Sequence, residues 1–363
     1  MTTARLLALL SEAALVDEID RIGASANVGV VHGAASATPT RKIWSSAGTI
    51  ILDEDAARRC AAAGLSRRPG IFLVALVPPG ADSPAAGVFE AALAVGAQQV
   101  CLLPGQAGEL VRTVSASGDS CRSERGNGSV AAVIGGRGGA GASLFATALA
   151  LSGPSELLMD LDPWGGGIDL LIGSESAPGL HWPDIAVRDG RLDWSALREA
   201  LPRHREISVL SGTRRGHRLT ASAVDAVIDA GRRGGATVVC DLPRQLSEVT
   251  GSVIEIADLV VMLSSCDVRS CAAASATAAV LTAINPNVGL VVRGPAPGGL
   301  RARDIAEIVG LPVLAAMRPE PMLAENLERG GLRLGGRSPL AAAAAAVLTV
   351  LRAQPRTQGD WAA

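Results

Sequence analysis

The 363-residue chain has no tyrosine, and aromatic residues make up only 2% of it. Its cores must be built from Ala, Val, Leu and Ile, and a hydrophobic content of 48% supplies ample material. Lysine is nearly missing too. Lys42 stands alone, and every other basic residue besides histidine is arginine. A formal net charge of −2 leaves no basic excess. That argues against a general nucleic-acid binder, whose affinity comes largely from neutralising phosphates. None of the cysteines (Cys60, Cys101, Cys121, Cys240, Cys266 and Cys271) stands in C-x-x-C spacing. Neither a zinc site nor a thioredoxin-like motif is indicated, and reduced, mostly buried thiols in a cytoplasmic protein are expected. His32, His181, His204 and His217 have no metal-ligand spacing.

Long apolar runs are also missing. No stretch reaches the ~18 residues a membrane span needs. The nearest, "SPLAAAAAAVLTVLRA", reads as a packed terminal helix. The opening "MTTARLLALLSEAALVDEIDRIG" lacks a small-residue cleavage site and soon turns acidic, so it reads as an amphipathic helix rather than a signal peptide. The tail "VLRAQPRTQGDWAA" lacks the basic amphipathic run of a helix that lies on a bilayer. Membrane association is therefore expected to be indirect or weak.

The length fits two domains. "SASGDSCRSERGNGS" is polar, Gly- and Ser-rich and without apolar periodicity, which is linker composition. The predicted organisation is a domain over 1–114, a linker over 115–129, a second domain over 130–353 and a polar tail over 354–363. Strand-like runs alternate with Ala-rich helical segments in both domains. "GIFLVALVPPG" and "SVAAVIGG" read as strands buried on both faces. An α/β class with mostly parallel sheets follows, doubly wound with right-handed crossovers in the second domain.

"GRGGAGAS", Gly136 to Ser143, carries the glycine spacing of the phosphate-binding pattern G-x-x-x-x-G-K-[ST]. Gly136 and Gly141 match, Ser143 fills the hydroxyl position, and Ala142 stands where the lysine belongs. Such a loop presents backbone N–H groups to an anion at a helix N-terminus, and that needs no lysine. Taken alone, the stretch reads as readily as a glycine-rich turn with no ligand. One helix downstream, "LLMDLDPWGGG" puts Asp160 and Asp162 at the end of a strand, where ligands of open α/β sheets bind. "VVCDLP" puts Asp241 at another strand end, a carboxylate suited to a magnesium shell. Each signal is weak alone; the ordered set is fairly specific.

On these residues the second domain resembles the deviant-Walker ATPases of the MinD/ParA class. Within that class it is most similar to CpaE-like and septum-site-determining proteins of the actinobacterial type. The class motif is K-G-G-x-G-K-[ST], and "RGGAGAS" lies on it. The resemblance implies a loop of Gly136, Gly138, Gly139, Ala140, Gly141, Ala142, Ser143 and Leu144 around a nucleotide. It implies magnesium near Ser143, Asp160 and Asp241, and Asp162 beside the attacking water. Arg137 stands for the signature lysine that reaches a dimer partner's nucleotide. The class's V-x-N adenine contact appears as Val291, Val292 and Arg293, and "GLPVLAAMRPEPMLAENLERGGLRL" resembles the strand, proline turn and helix near the adenine.

The first domain resembles the receiver-like domain of CpaE-type proteins. A receiver carries a phosphoacceptor Asp at the end of its third strand. Taking "IFLVALVPPG" as that strand finds none, and Leu103 in "CLLPGQ" replaces the receiver's lysine. No phosphorylated switch is expected, and Asp53 to Asp55 are expected to cap a helix or face solvent.

The expected function is a spatial regulator of septum placement and cell division. Loss of the lysine implies a degenerate ATP- and magnesium-binding site with weak or absent hydrolysis, since phosphoryl transfer depends on positioning and charge stabilisation. Homodimerisation, protein partners in the division or secretion machinery, and a cytoplasmic location with recruitment to the septum or a cell pole come with the resemblance. Alternatives are a localisation factor for pilus or secretion-system assembly, and an active ATPase that partitions DNA or protein cargo. The arginine clusters "GTRRGHR" and "GRRGG" read as solvated loops and a helix C-terminus, where cations are favoured.

Overall fold

A computed structural model describes the chain except residues 1–4, 27, 35, 66, 69, 78–85, 115–127, 154–155, 186–191, 215 and 354–363. Nearly all of the expected linker and the whole polar tail lie outside the described residues. The described residues form two compact units, one up to residue 114 and one from Gly128.

The first unit alternates strictly. Its elements are β1 (Arg5–Leu9), α1 (Ala13–Ala26), β2 (Gly29–His32), α2 (Arg41–Ser46) and β3 (Thr49–Leu52). Then come α3 (Glu54–Ala62), β4 (Ile71–Leu76), α4 (Ala86–Val95), β5 (Gln99–Leu103) and α5 (107–114). The sheet is all parallel in the order β2-β1-β3-β4-β5. Leu7 and Leu9 enter the apolar cluster on one face, Leu6 and Ala8 the cluster on the other. Helices on both faces demand this: a parallel strand buried on both sides reads as a continuous apolar run.

The opening segment corrects the sequence expectation. "RLLAL" is an interior strand and only Ala13–Ala26 is helical. A short apolar run has no decisive period, and burial between β2 and β3 decided its state. The extra strand shifts the count. The third strand is Thr49–Leu52, not "IFLVALV", and Asp53 directly follows it at the position where a receiver carries its phosphoacceptor.

The second unit begins with β6 (Val130–Gly135), α6 (Ala142–Leu151), β7 (Glu156–Asp160), α7 (Ile168–Ile172) and a 3-10 turn at Trp182–Asp184. It continues with α8 (Trp194–Ala200), β8 (Arg203–His204), β9 (Ile207–Leu210), α9 (Ala221–Arg233) and β10 (Thr237–Asp241). The remainder is α10 (Glu248–Ile256), β11 (Leu259–Ser265), α11 (Val268–Ile284), β12 (Val288–Arg293), α12 (Ala302–Val309), β13 (Val313–Met317), α13 (Leu323–Glu328) and α14 (Pro339–Ala353).

The strand order is β13-β12-β11-β6-β10-β7-β9-β8, parallel except for the short β8. Successive β6 residues serve opposite cores: Val130, Ala132 and Ile134 one, Ala131 and Val133 the other. The Ala-rich α14 buries Leu340, Ala343, Ala344, Val347, Leu348 and Leu351, the packed terminal helix its composition implied. Among the described residues no helix is long and apolar enough to cross a membrane. Cys60, Cys101, Cys240, Cys266 and Cys271 are buried free thiols; Cys121 lies outside the described residues.

Candidate functional site

The carboxyl ends of β6, β7, β10, β11 and β12 share one edge of the second sheet, the edge where open α/β folds bind ligands. The glycine loop leaves β6 there and enters α6. Gly141 is the N-cap in a left-handed conformation, φ 97°, and makes no side-chain cap hydrogen bond. Glycine alone adopts that conformation without strain. At Gly136 a Cβ would lie 2.9 Å from the Cβ of Ala274, so α11 can press against the loop only if no side chain intervenes. Gly138, Gly139 and Ala140 form the bend, and the Ala140 N–H donates to the Arg137 carbonyl. The first-turn N–H groups of Ala142, Ser143 and Leu144 have no acceptor within their own helix, which leaves an anion-facing N-terminus.

Three carboxylates stand around this terminus. Asp160 and Asp241 are register partners on adjacent strands and both are buried. The Asp160 oxygens accept from the N–H groups of Asp162 (3.0 Å) and Ile168 (2.9 Å). Its carbonyl accepts from the indole N–H of buried Trp182 at 2.6 Å. Asp160 thus shapes the loop that carries Asp162. Burial pushes its carboxyl up to about 6 despite those hydrogen bonds. Asp162 is half-buried, and its Oδ1 accepts from the N–H of Trp164, a residue that is 82% exposed.

Asp241 is the unusual member. Its side chain neighbours the Ser143 hydroxyl, and its Oδ1 is buried without a hydrogen-bond partner. Burial pushes its carboxyl up to about 8, against the lowering effect of Ser143 and with a further rise from Asp160 and Asp162. A buried carboxylate oxygen with nothing to bind is costly. A divalent cation beside Ser143 would satisfy it, so the donor set fits magnesium, which keeps several waters and takes few protein ligands. Among the described residues, no three His, Cys, Asp or Glu side chains converge into a closed metal cage.

The resemblance gives Arg137 the place of the signature lysine that reaches a dimer partner's nucleotide. Arg137 is engaged within its own chain: its Nη1 donates to Asp267 Oδ1 (3.3 Å) and Ser270 Oγ (3.2 Å) at the start of α11. A second arginine reaches the loop. Arg293, at the end of β12, directs its Nη2 to the Gly139 carbonyl (3.4 Å) and to Ser265 Oγ (3.3 Å). By resemblance Arg293 falls at the last position of the class's V-x-N adenine contact.

The arginine clusters are not simply solvated. Arg214 grips buried Asp169 through two hydrogen bonds of 3.1 and 2.8 Å. Arg232 pairs with Asp258, and Arg233 with Asp229. Between the ends of β11, β12 and β13 lies a cavity of about 260 Å3, lined by Val292, Gly294, Pro295, Met317 and Arg318 among others.

Solved structures share this architecture. A ParA family ATPase from Chlorobium tepidum TLS matches 60% of this chain and 98% of its own, with a TM-score of 0.54 at 17% identity. The MinC:MinD cell division protein complex of Aquifex aeolicus matches 62% of this chain and 96% of its own, with a TM-score of 0.51 at 20% identity. The second unit thus has the MinD/ParA-type P-loop fold, preceded by a CheY-like unit. Residues 9–125 match the family model described as the Rv3660c-like, CheY-like N-terminal domain. Rv3660c of Mycobacterium tuberculosis (strain ATCC 25618 / H37Rv) is 57% identical over 343 residues, 94% of this chain and 97% of the relative. This chain belongs to the Rv3660c-like family.

Proposed function

We propose that this protein is a MinD-type spatial regulator of cell division, a nucleotide-dependent switch with weak or absent ATP hydrolysis. The observation that carries the reading is the coexistence of Ala142 with a retained Ser143–Asp241 pair and its orphaned carboxylate oxygen. A site that had lost its ligand altogether would be expected to relieve that unpartnered buried oxygen. The fold likeness to the Aquifex MinC:MinD cell division protein complex adds support for the division role.

In this reading the first turn of α6 and the glycine loop cradle phosphates through backbone N–H groups. Ser143 and Asp241 hold magnesium, which when bound neutralises phosphate charge. Asp160 fixes the path of the 162–168 loop, and Asp162 orients a water. The cavity beside Val292 and Met317 receives the base. The active form is a homodimer that recruits protein partners, and Arg137 exchanges Asp267 for phosphate across the dimer. Without the P-loop lysine, transition-state charge is poorly matched and turnover is slow.

A magnesium-dependent turnover assay on wild type, Asp162→Ala and Asp241→Ala tests the switch, with turnover at background in all of them the expected result. Robust hydrolysis lost in both variants would make the protein an ordinary ATPase. Depletion and overexpression with cell-length imaging test the division role, and unchanged septation in both would overturn it.

A further inference from the structure

We propose that Arg293 is the phosphate-binding cation of this site, doing from β12 what the missing lysine does from the first turn of α6 in an intact loop. The inference deepens the nucleotide reading above and rests on it. It names a residue and a chemistry which that reading lacks.

The geometry carries it. Ser265 and Arg293 are register partners on β11 and β12, and Leu263 is the partner of Gly135 on β6. Arg293 therefore starts two strands away from the loop and must extend over the end of β11 to reach it. It does so: Nη2 lies 3.4 Å from the Gly139 carbonyl and 3.3 Å from Ser265 Oγ. Its Nη1 lies 3.5 Å from the point a Cβ on Gly141 would occupy. The guanidinium thus lies over the bend of the loop, next to the N-cap of α6. The side chain at position 142 is only a methyl group.

Charge sorts the candidates. Arg137 is neutralised by Asp267, and Arg214 by Asp169. Among the described residues, no carboxylate pairs with Arg293; its two hydrogen bonds go to a carbonyl and a hydroxyl. It is the arginine over the loop that carries no carboxylate partner. A guanidinium offers a planar fork of donors that matches two phosphate oxygens at once. A lysine delivers a point charge from one end of a flexible stem. The expected ligand class is a polyphosphate, gripped at two oxygens by Arg293 and at others by the loop.

The test is equilibrium binding by the full chain of two probes, MgATP and inorganic tripolyphosphate. The proteins are wild type, Arg293→Ala and the double variant Ala142→Lys/Arg293→Ala, each checked for an unchanged melting profile. Arg293→Ala should weaken both probes by about tenfold or more, the loss of a charged hydrogen-bond donor. Ala142→Lys should restore most of it by returning a cation to the loop, a rescue that a merely misfolded variant would not give. Equal binding by wild type and Arg293→Ala overturns the inference and leaves the nucleotide reading standing. Arg293-dependent binding of tripolyphosphate without binding of MgATP upholds the cation and overturns the nucleotide. Binding of neither probe by wild type overturns both.

Discussion

The Ser143 hydroxyl, in the first turn of α6, neighbours the Asp241 carboxyl at the end of β10, and the Oδ1 of that carboxyl is buried with no hydrogen-bond partner. Burial of this carboxyl sets the expected pH dependence of the site. An aspartate raised to about 8 when folded, against about 3.9 when unfolded, binds a proton in the native state that the unfolded chain has already lost. Stability of the metal-free protein therefore falls as pH rises between those values, and it levels off above about 8. Asp160, raised to about 6, adds to the slope over the lower part of that window. Asp241→Asn should flatten the dependence and raise the melting temperature at pH 8, at about 2–4 °C per kcal/mol gained. Thermal melts from pH 5 to 8.5 without metal check this; a wild type that gains stability towards pH 8 would contradict it.

Magnesium should act with the opposite sign. Binding requires the charged carboxylate, so it displaces a proton from Asp241 and strengthens as pH rises through about 8. Calorimetry of magnesium binding in buffers of different ionisation enthalpy reads that proton release. Asp241→Asn should abolish it.

The Trp182 indole serves the loop rather than the chemistry. Its N–H donates 2.6 Å to the buried Asp160 carbonyl. Trp182→Phe keeps most of the apolar contact and removes the donor. It should cost about 1–2 kcal/mol in urea unfolding, and it should loosen the segment that carries Asp162. Hydrogen exchange at the Asp162 and Ile168 amides, both bonded to Asp160, reports that loosening.

Arg214→Ala would leave the buried Asp169 carboxylate without its two-point partner. Removing one partner of a fully buried pair costs about 3–5 kcal/mol. The Arg214 side chain is nearly half exposed, and solvent screening reduces the expected loss to about 1–2 kcal/mol. Arg214→Ala combined with Asp169→Asn should recover part of it. Denaturant midpoints of the single and double variants give the coupling.

Asp53 occupies a receiver's phosphoacceptor position but is committed to structure. It caps α3 by accepting from the Ala56 N–H at 2.8 Å, and it also accepts from the Ser11 N–H. Leu103 ends β5, where a receiver carries its lysine. Small-molecule phosphodonors should therefore leave the intact mass unchanged, and Asp53→Ala should cost about 1–2 kcal/mol through the lost cap. A phosphorylated species that disappears in Asp53→Ala would contradict this.

Sequence alone determined the α/β class, the glycine loop and the strand-end positions of Asp160, Asp162 and Asp241. Those features are local: a both-faces-buried strand reads as an apolar run, a phosphate loop needs glycines at fixed spacing, and a strand end is marked by the break in that run. The tertiary structure decided what depends on distance between elements. It made "RLLAL" an interior strand, because a short apolar run takes its state from its neighbours, and so it moved Asp53 to the end of the third strand. It tied Arg137 to Asp267, Arg232 to Asp258 and Arg214 to Asp169, pairings between residues far apart in the chain. It also brought Arg293 over a loop 154 residues earlier, which no local pattern could register. Charge balance in a site is a sum over space, and only the fold fixes which charges are near enough to count.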